Sequence, residues 1–478
     1  LSKSIKAPLW EKLQAIVEEK PVSFHVPGHK NGTILPNVSW GKFREMMRYD
    51  LTELPGLDDL HQPETVIEDA LALARDFFES RETYFLVNGS TVGNLAMILQ
   101  AVSAGDYILV PKNVHKSVVN ALELSKACPI FIEPAYDETL NRMTVPLFTD
   151  IQQAFTDYPI KAMIVTYPDY YGTTFDLETL ISYVHTRGAL MLVDEAHGVH
   201  LSLNYPCFPA SALSLGADFV VQSAHKMAPA LTQTAYLHVS RHYKGETHCL
   251  KHYLQMLQSS SPSYLLMASL DVTRAFLASQ TTALLDQVMA SVKAVRSILS
   301  GLESAYLIKE YTTVDPLKIT LQPKLSYTTK AIEAAFRTAG IYLEFITDQD
   351  LVFVHGLAPF TEQEKLQYAV NYVNHTLKKQ AKHDTMKVVR KKVRHPLTKL
   401  VCDYQTLASF KPVFVSLNDA INYVAYESII PYPPGIPLVL KGQRITKEDI
   451  EEIRQLLAQK IHFQNNHITQ GVYVIKEI

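Results

Sequence analysis

The stretch Asp218-Phe-Val-Val-Gln-Ser-Ala-His-Lys226 runs as an apolar strand and stops abruptly on Ser223, His225 and Lys226. Lysine is among the residues least often buried, so one placed just past a core strand either caps that strand in solvent or is held there for its amine chemistry. A second stretch of the same build narrows the choice. Ala189-Leu-Met-Leu-Val193 leads straight into Asp194-Glu195-Ala196-His197-Gly198, another short apolar strand ending on a carboxylate and a histidine. A lysine that can form a Schiff base and an aspartate that can keep a pyridine nitrogen protonated are the pair that pyridoxal phosphate needs from a protein.

Around these strands, strand-like and helix-like patterns alternate. Strands are expected at Thr83 to Val87, Tyr107 to Val110, Ala162 to Tyr167, Leu190 to Val193 and Phe219 to Gln222. Helices are expected over Glu64 to Phe78, Leu95 to Val102, Lys116 to Ser125 and Leu177 to Thr186. Such alternation predicts an α/β fold with a mostly parallel sheet covered by helices on both faces. In open sheets of this kind a ligand sits beyond the carboxyl ends of the strands, where Asp194, Ser223, His225 and Lys226 all fall. Asn88-Gly89-Ser90-Thr91 turns a strand into a helix with small residues and two hydroxyls, a candidate phosphate cradle at a helix amino terminus. A plain helix cap is the simpler reading of the same residues. His115 also follows a strand end, and on its own reads equally well as a surface residue at a helix start.

Composition sets the frame. With 478 residues, 47% hydrophobic and 19% charged, the chain is long enough for two or three domains of ordinary globular make-up. Lys+Arg 45 against Asp+Glu 48 gives a net charge of −3, so no basic field points to nucleic acid. Cys128, Cys207, Cys249 and Cys402 lack paired spacing and read as reduced thiols of a cytoplasmic protein. No long uncharged apolar run suggests a membrane partner. His248 and His252 stand four apart without a convergent acid, so they are expected at the surface and no metal is expected. P-loop, zincin and nucleophile-elbow motifs are absent.

The organisation along the chain is expected to be an amino-terminal segment over 1–50, a large domain over 51–306, a small α+β domain over 307–377, a basic linker over 378–396 and a carboxyl-terminal domain over 397–478. Leu265 to Ser300 is a helical region, and Leu317 to Leu321 and Leu351 to Val354 are strands of the small domain. The linker carries Lys387, Arg390, Lys391 and Lys392 and reads as a solvated charge run. Two acidic features stand out. Asp50, Glu53, Asp58 and Asp59 crowd into a leucine-rich segment, and Glu427 is the one charged residue of a proline-rich stretch. Asp58 and Asp59 have a local alternative, capping the helix that begins near Glu64.

Taken together, Pro27-Gly-His-Lys30, Asp50-Leu-Thr-Glu53, Gly56-Leu-Asp-Asp-Leu-His61, Asn88-Gly-Ser-Thr91, His115-Lys-Ser117, Asp194-Glu-Ala-His-Gly198, Ser223-Ala-His-Lys226 and Tyr432-Pro-Pro-Gly-Ile-Pro437 resemble the bacterial ornithine/lysine/arginine decarboxylase family over nearly the whole chain. The resemblance implies a pyridoxal-phosphate-dependent enzyme of the aspartate aminotransferase fold type, with a seven-stranded sheet in the large domain and a carboxyl-terminal domain of the family's own. It implies that Lys226 carries the cofactor as a Schiff base, that Asp194 pairs with the pyridine nitrogen and that His115 stacks on the ring. Gly89, Ser90, Thr91, Ser223 and His225 would hold the phosphate, and His197 would sit beside the ring. The turn here reads Gly-Ser-Thr-Val where many relatives have Gly-Thr-Ser-Thr, two hydroxyls instead of three.

The implied reaction is decarboxylation of a basic amino acid, arginine or lysine before ornithine, to an amine of the polyamine pathway. Glu53, Asp58, Asp59 and Glu427 are the expected partners of its distal cation, some of them across a dimer interface. The chain is shorter than the large acid-induced decarboxylases and shows no receiver-like domain ahead of its first motif. A homodimer or dimer of dimers is therefore expected in place of a decamer. Two alternatives stay open: another enzyme of this cofactor and fold, an aminotransferase or lyase with Arg337 as the local candidate for an α-carboxylate clamp, and a cofactor-binding regulatory protein without catalysis.

Overall fold

The computed structural model describes residues 5–36, 40–137, 142–309, 314–378, 396–432, 437–458 and 461–476. Its centre is an eight-stranded sheet in the order Glu82–Leu86, Ala235–Val239, Phe219–Ser223, Leu190–Asp194, Ile160–Thr166, Tyr107–Pro111, Cys128–Ile132, Leu397–Lys399. The five strands from Phe219–Ser223 to Cys128–Ile132 run parallel, and Ala235–Val239 is antiparallel to both of its neighbours. Seven strands are those of the aspartate aminotransferase type. The eighth, Leu397–Lys399, pairs antiparallel with Cys128–Ile132 and stitches the carboxyl-terminal region onto the sheet edge.

The apolar runs are strands because both sheet faces are covered. Met191 and Val193 enter one core layer with Val220, while Leu192 enters the other with Phe219 and Val221. A strand that alternates between two cores has no polar side, which is why it reads as continuous hydrophobicity. One layer packs helices Pro8–Glu18, Val66–Phe78, Leu177–Thr186 and Tyr264–Ala278 on the sheet, and the other packs Gly89–Ala101, Lys116–Ser125 and His248–Leu257.

The helical region expected from Leu265 to Ser300 is two helices, Tyr264–Ala278 and Thr282–Leu299, the second capped by Thr281, whose hydroxyl accepts from Leu284 N. The second helix joins two cores. Leu285, Val288 and Val292 pack in the main core, whereas Val295 and Leu299 pack with Ile319, Phe336 and Val370 beside a four-stranded antiparallel sheet. That sheet contains Lys318–Pro323 and Leu351–Val354, so the sequence-expected strands are present there. A further three-stranded sheet, Val413–Val415, Val472–Ile475 and Val424–Ala425, packs with helix Lys447–Ala458 on a separate core. The basic run with Lys387 to Lys392, and residues 433–436 of the proline-rich motif, lie outside the described residues.

Candidate active site

Asp194 ends its strand paired in register with Val221, so the neighbouring strand carries Ser223 and then Lys226 past the same sheet edge. Asp194 is buried. Its Oδ1 accepts from Ala196 N at 3.1 Å, and its Oδ2 accepts from Asn94 Nδ2 at 2.8 Å. Asn94 Nδ2 also donates to Ser117 Oγ at 2.9 Å, and Ser117 Oγ lies 2.7 Å from His115 Nδ1. Because Ser117 N donates to that same Nδ1, at 3.2 Å, the bonds assign the His115 proton to Nε2. A hydrogen-bonded line thus runs from the buried carboxylate to the histidine. Sequence reading had both ends of it and missed Asn94, which sits inside a helix with no local signal.

Lys226 is half-buried. Burial pushes its ammonium down from the ordinary lysine range, against the Asp194 and Glu344 carboxylates, which favour the charged form. Its Nζ lies 3.0 Å from His197 Nε2 and 5.9 Å from the centre of the Tyr170 ring. Tyr170 in turn meets His197 edge-on at 5.1 Å. On its other side His197 Nδ1 faces Lys318 Nζ at 3.2 Å. Lys318 and Glu344 come from the small sheet region and were not expected. Lys318 can approach because Gly172 has no side chain: a Cβ there would stand 2.7 Å from Lys318 Cγ, and its φ of +82° also favours glycine.

The expected phosphate residues form a second cluster at the same edge. Helix Gly89–Ala101 begins directly at the glycine, six residues before the Leu95 start expected from periodicity, so the Gly-Ser-Thr turn is itself the helix's first turn. Gly89 has φ +75°, and a Cβ would meet only Gln233 O at 3.9 Å, so conformation and not space selects glycine. Ser223 Oγ donates to Ser90 Oγ at 2.9 Å, which places two hydroxyls at the first turn of the helix, whose leading N–H, that of Gly89, donates to Gln233 O at 2.8 Å. His225 Nδ1 donates to the Thr234 carbonyl at 2.9 Å, leaving Nε2 for another partner. Thr91 is exposed on the first turn. A buried carboxylate, an amine and an anion cradle at one sheet edge match the pyridine nitrogen, aldehyde and phosphate of pyridoxal phosphate. The donor set fits the group.

The expected acidic cluster is not brought together. Asp58 is buried and its Oδ2 accepts from the N–H groups of Glu64, Thr65 and Ile67, at 2.9, 2.6 and 3.3 Å, so it caps helix Val66–Phe78. Of the two readings of Asp58 in the sequence, helix cap or partner of the substrate cation, the geometry matches the cap through Oδ2. Asp50 pairs with His29 at 3.1 Å, so the crowding of acids is relieved locally. Glu53 and Asp59 are exposed and bonded to Thr52 Oγ1 and His61 N. Glu427 accepts from His467 Nε2 at 2.6 Å and Tyr473 N at 3.1 Å within the carboxyl-terminal region. For Asp58→Ala we expect a loss of about 1–2 kcal/mol of stability, the usual cost of a removed amino-terminal cap, with kcat/KM of the folded protein near normal. Denaturant unfolding alongside kinetics checks this; a collapse of kcat/KM at unchanged stability would return Asp58 to the substrate site.

Arg337 is mostly exposed and stands 3.6 Å from Glu333 on its own helix, away from any role as a carboxylate clamp. A cavity of about 370 Å³ opens beside Tyr170, lined in part by Tyr171, Phe175, Phe345, Asp169 and Glu344. Arg142 stacks on Tyr171 at its wall, 3.9 Å from the ring centre. Among the described residues, no helix is long and apolar enough to cross a membrane.

An α/β sheet covered by helices on both faces, with a half-buried lysine, a buried aspartate and a serine-bearing helix start at its carboxyl edge, has the aspartate aminotransferase type of fold found in pyridoxal-phosphate enzymes. The chain belongs to the Orn/Lys/Arg decarboxylase family: that family's major-domain profile matches residues 7–324 and its carboxyl-terminal-domain profile residues 384–474. An uncharacterized Bacillus subtilis protein, YaaO, is 38% identical over 469 residues, 97% of this chain and 96% of its own length. An arginine decarboxylase of the same organism is 30% identical over 467 residues, 94% of this chain and 93% of its own. In fold the chain is similar to the lysine decarboxylase of Francisella novicida, with a TM-score of 0.81 at 17% identity, covering 99% of this chain and 81% of that one.

Proposed function

We propose that this chain decarboxylates arginine or lysine, ahead of ornithine, using pyridoxal phosphate seated between Asp194 and Lys226. The observation that carries the reading is the placing of the buried Asp194 carboxylate and the Lys226 amine at the ends of adjacent parallel strands, with the Ser90 and Ser223 hydroxyls at the same sheet edge. When bound, the cofactor supplies an electron sink for the electrons left by departing carbon dioxide. Asp194 would hold a proton on the ring nitrogen, itself fixed by Asn94 and Ala196 N. His115, tethered through Ser117, would lie against the ring, and the Gly89 turn with Ser90, Thr91, Ser223 and His225 would hold the phosphate. Lys226, freed when substrate amine takes its place, would return a proton to Cα, with His197 beside it.

Membership of a family whose relatives include arginine decarboxylases supports a basic substrate. The cavity beside Tyr170 offers room for a long side chain, with Glu344 as a carboxylate in reach of both Lys226 and that space. A homodimer, or a dimer of dimers, is part of this proposal. Val22, Phe24, Val26, Ile34, Trp40 and Phe43 leave an amino-terminal arm with its apolar side chains exposed, 94% for Phe24, around the Pro27-Gly-His-Lys30 motif. A second copy would cover that arm and bring Glu53 and Asp59 to a neighbouring site, with Glu427 as a further candidate.

Carbon dioxide release and product analysis with arginine, lysine and ornithine, on protein whose mass in solution is measured by sedimentation, test the proposal. The expected result is amine and carbon dioxide from arginine or lysine by a particle of about two or four times the chain mass. Keto acid without carbon dioxide would favour an aminotransferase. Cofactor binding with no product from any of the three would favour a non-catalytic protein, and a monomer with full activity would remove the shared site.

A further inference from the structure

Two lysines face one imidazole: Lys226 Nζ stands 3.0 Å from His197 Nε2, and Lys318 Nζ stands 3.2 Å from His197 Nδ1. The ring is buried and neutral. Burial pushes it well below the ordinary histidine range, and Lys226, Lys318, His200 and His225 push the same way. A neutral imidazole has one N–H and one lone pair; an ammonium only donates, whereas a neutral amine also accepts. Both contacts are therefore hydrogen bonds only when at least one lysine is a neutral amine receiving the ring N–H while the other donates to the ring lone pair.

The surroundings decide which lysine keeps the charge. Lys318 is 3% exposed; its burial disfavours the charge, and the carboxylates of Asp315, Glu344 and Asp169 oppose that cost. Asp315 is fully buried, and although burial alone would raise its carboxyl, His200, with Nε2 3.0 Å from Asp315 Oδ2, and Lys318 hold it below the usual range. Lys226 faces Asp194, Glu344, His115, His197 and Tyr170. Of these, Asp194 already accepts from Asn94 and Ala196 N, and Glu344 is shared with Lys318. Asp315 is likewise engaged, by His200 and by Leu317 N, but Lys318 has Asp169 as a third carboxylate favouring its charge, where Lys226 has only Asp194 and the shared Glu344.

We propose that Lys318 is a positioning residue: its ammonium donates to His197 Nδ1, fixes the imidazole proton on Nε2, and so presents an N–H to Lys226 that holds the free Lys226 amine neutral and nucleophilic. No proton leaves this line at rest; the ring carries one, Lys318 carries its full complement, and Lys226 offers its lone pair. Without Lys318 the ring can turn its lone pair to Nε2, accept from Lys226 and favour the unreactive ammonium.

The inference rests on Lys226 being the reacting amine, but its test uses the full chain without cofactor or substrate. Failure to decarboxylate anything would overturn the functional reading and leave this proton arrangement standing. The pH dependence of Lys226 labelling by trace acetic anhydride, followed by mass spectrometry, gives the midpoint at which the amine becomes neutral. The proton position on His197 comes from ¹⁵N-histidine NMR, with His197→Gln identifying the signal. Wild type and Lys318→Arg should carry the proton on Nε2. Lys318→Met should move it to Nδ1 and raise the Lys226 midpoint by about one unit, so that roughly tenfold less amine is neutral below it. A wild-type proton on Nδ1 overturns the proposal outright, even if Lys318→Met does not fold. A midpoint that rises with the tautomer unchanged reduces Lys318 to a repelling charge and overturns it too, as does a tautomer change with the midpoint unmoved.

Discussion

Lys226→Ala is expected to abolish the lysine-linked absorbance of the cofactor and to cut decarboxylation by roughly 10²–10⁴-fold or more, the range typical of a lost proton-transfer group. Its position carries the expectation: half-buried just past the Phe219–Ser223 strand, with an amine whose charge is disfavoured by burial and with His197 3.0 Å away. A lysine merely capping a strand in solvent would be an ammonium with no partner of this kind. Absorbance spectra and borohydride trapping, with mass spectrometry of the trapped peptide, check the attachment point. Trapping at the same peptide position in wild type and loss of it in Lys226→Ala is the expected pair of results. A variant that keeps the lysine-linked absorbance would move the attachment to another lysine, and Lys318 would be the first to examine.

The second large effect is expected at Asp194. Its carboxylate is buried and held on both oxygens, so it is set to face one further proton-bearing group and little else. Removing a preorganised charge of this kind costs roughly 10²–10³-fold in rate, about 2.7–4 kcal/mol. Asp194→Asn keeps the shape but loses the charge, and Asp194→Ala loses both. If the carboxylate acts by keeping the ring nitrogen protonated, both should lose kcat by a similar factor while circular dichroism and unfolding show the fold retained. A normal rate in Asp194→Asn with a slow Asp194→Ala would make packing, not charge, the function of this residue. Because Asn94 donates to both Asp194 and Ser117, a shifted carboxylate would also disturb the tether of His115.

Cys128–Ile132 is a full parallel strand of the main sheet, yet Pro129 at its second position argues against a strand when only local sequence is read. In the folded sheet Pro129 sits opposite Ile108 in the parallel ladder, and the adjacent edge is finished by Leu397–Lys399, from far along the chain. Ala235–Val239 was missed because an antiparallel strand closing a parallel run follows no crossover helix. At Asp58 the sequence left two readings open for the opposite reason. Spacing shows that carboxylates are close in sequence, but not that one of them is turned onto the first N–H groups of the next helix.

What the sequence by itself determined is the α/β sheet, its covered faces, and the residues that end its strands: Asp194, Ser223, His225 and Lys226, with Gly89 and Ser90 at the helix start and His115 beyond its strand. Those features are local. A strand buried on both faces must be apolar throughout and must place its first polar residues at its end, and a chain entering a helix through positive φ needs glycine. Only the tertiary structure decided that Lys318, from a different sheet and 92 residues beyond Lys226, shares an imidazole with it, that Asn94 joins Asp194 to His115 through Ser117, and that Asp58 serves a helix. Hydrogen bonds between side chains from distant elements leave no period or spacing in the sequence, because the distance that makes them is set by how helix Thr282–Leu299 locks the two cores together.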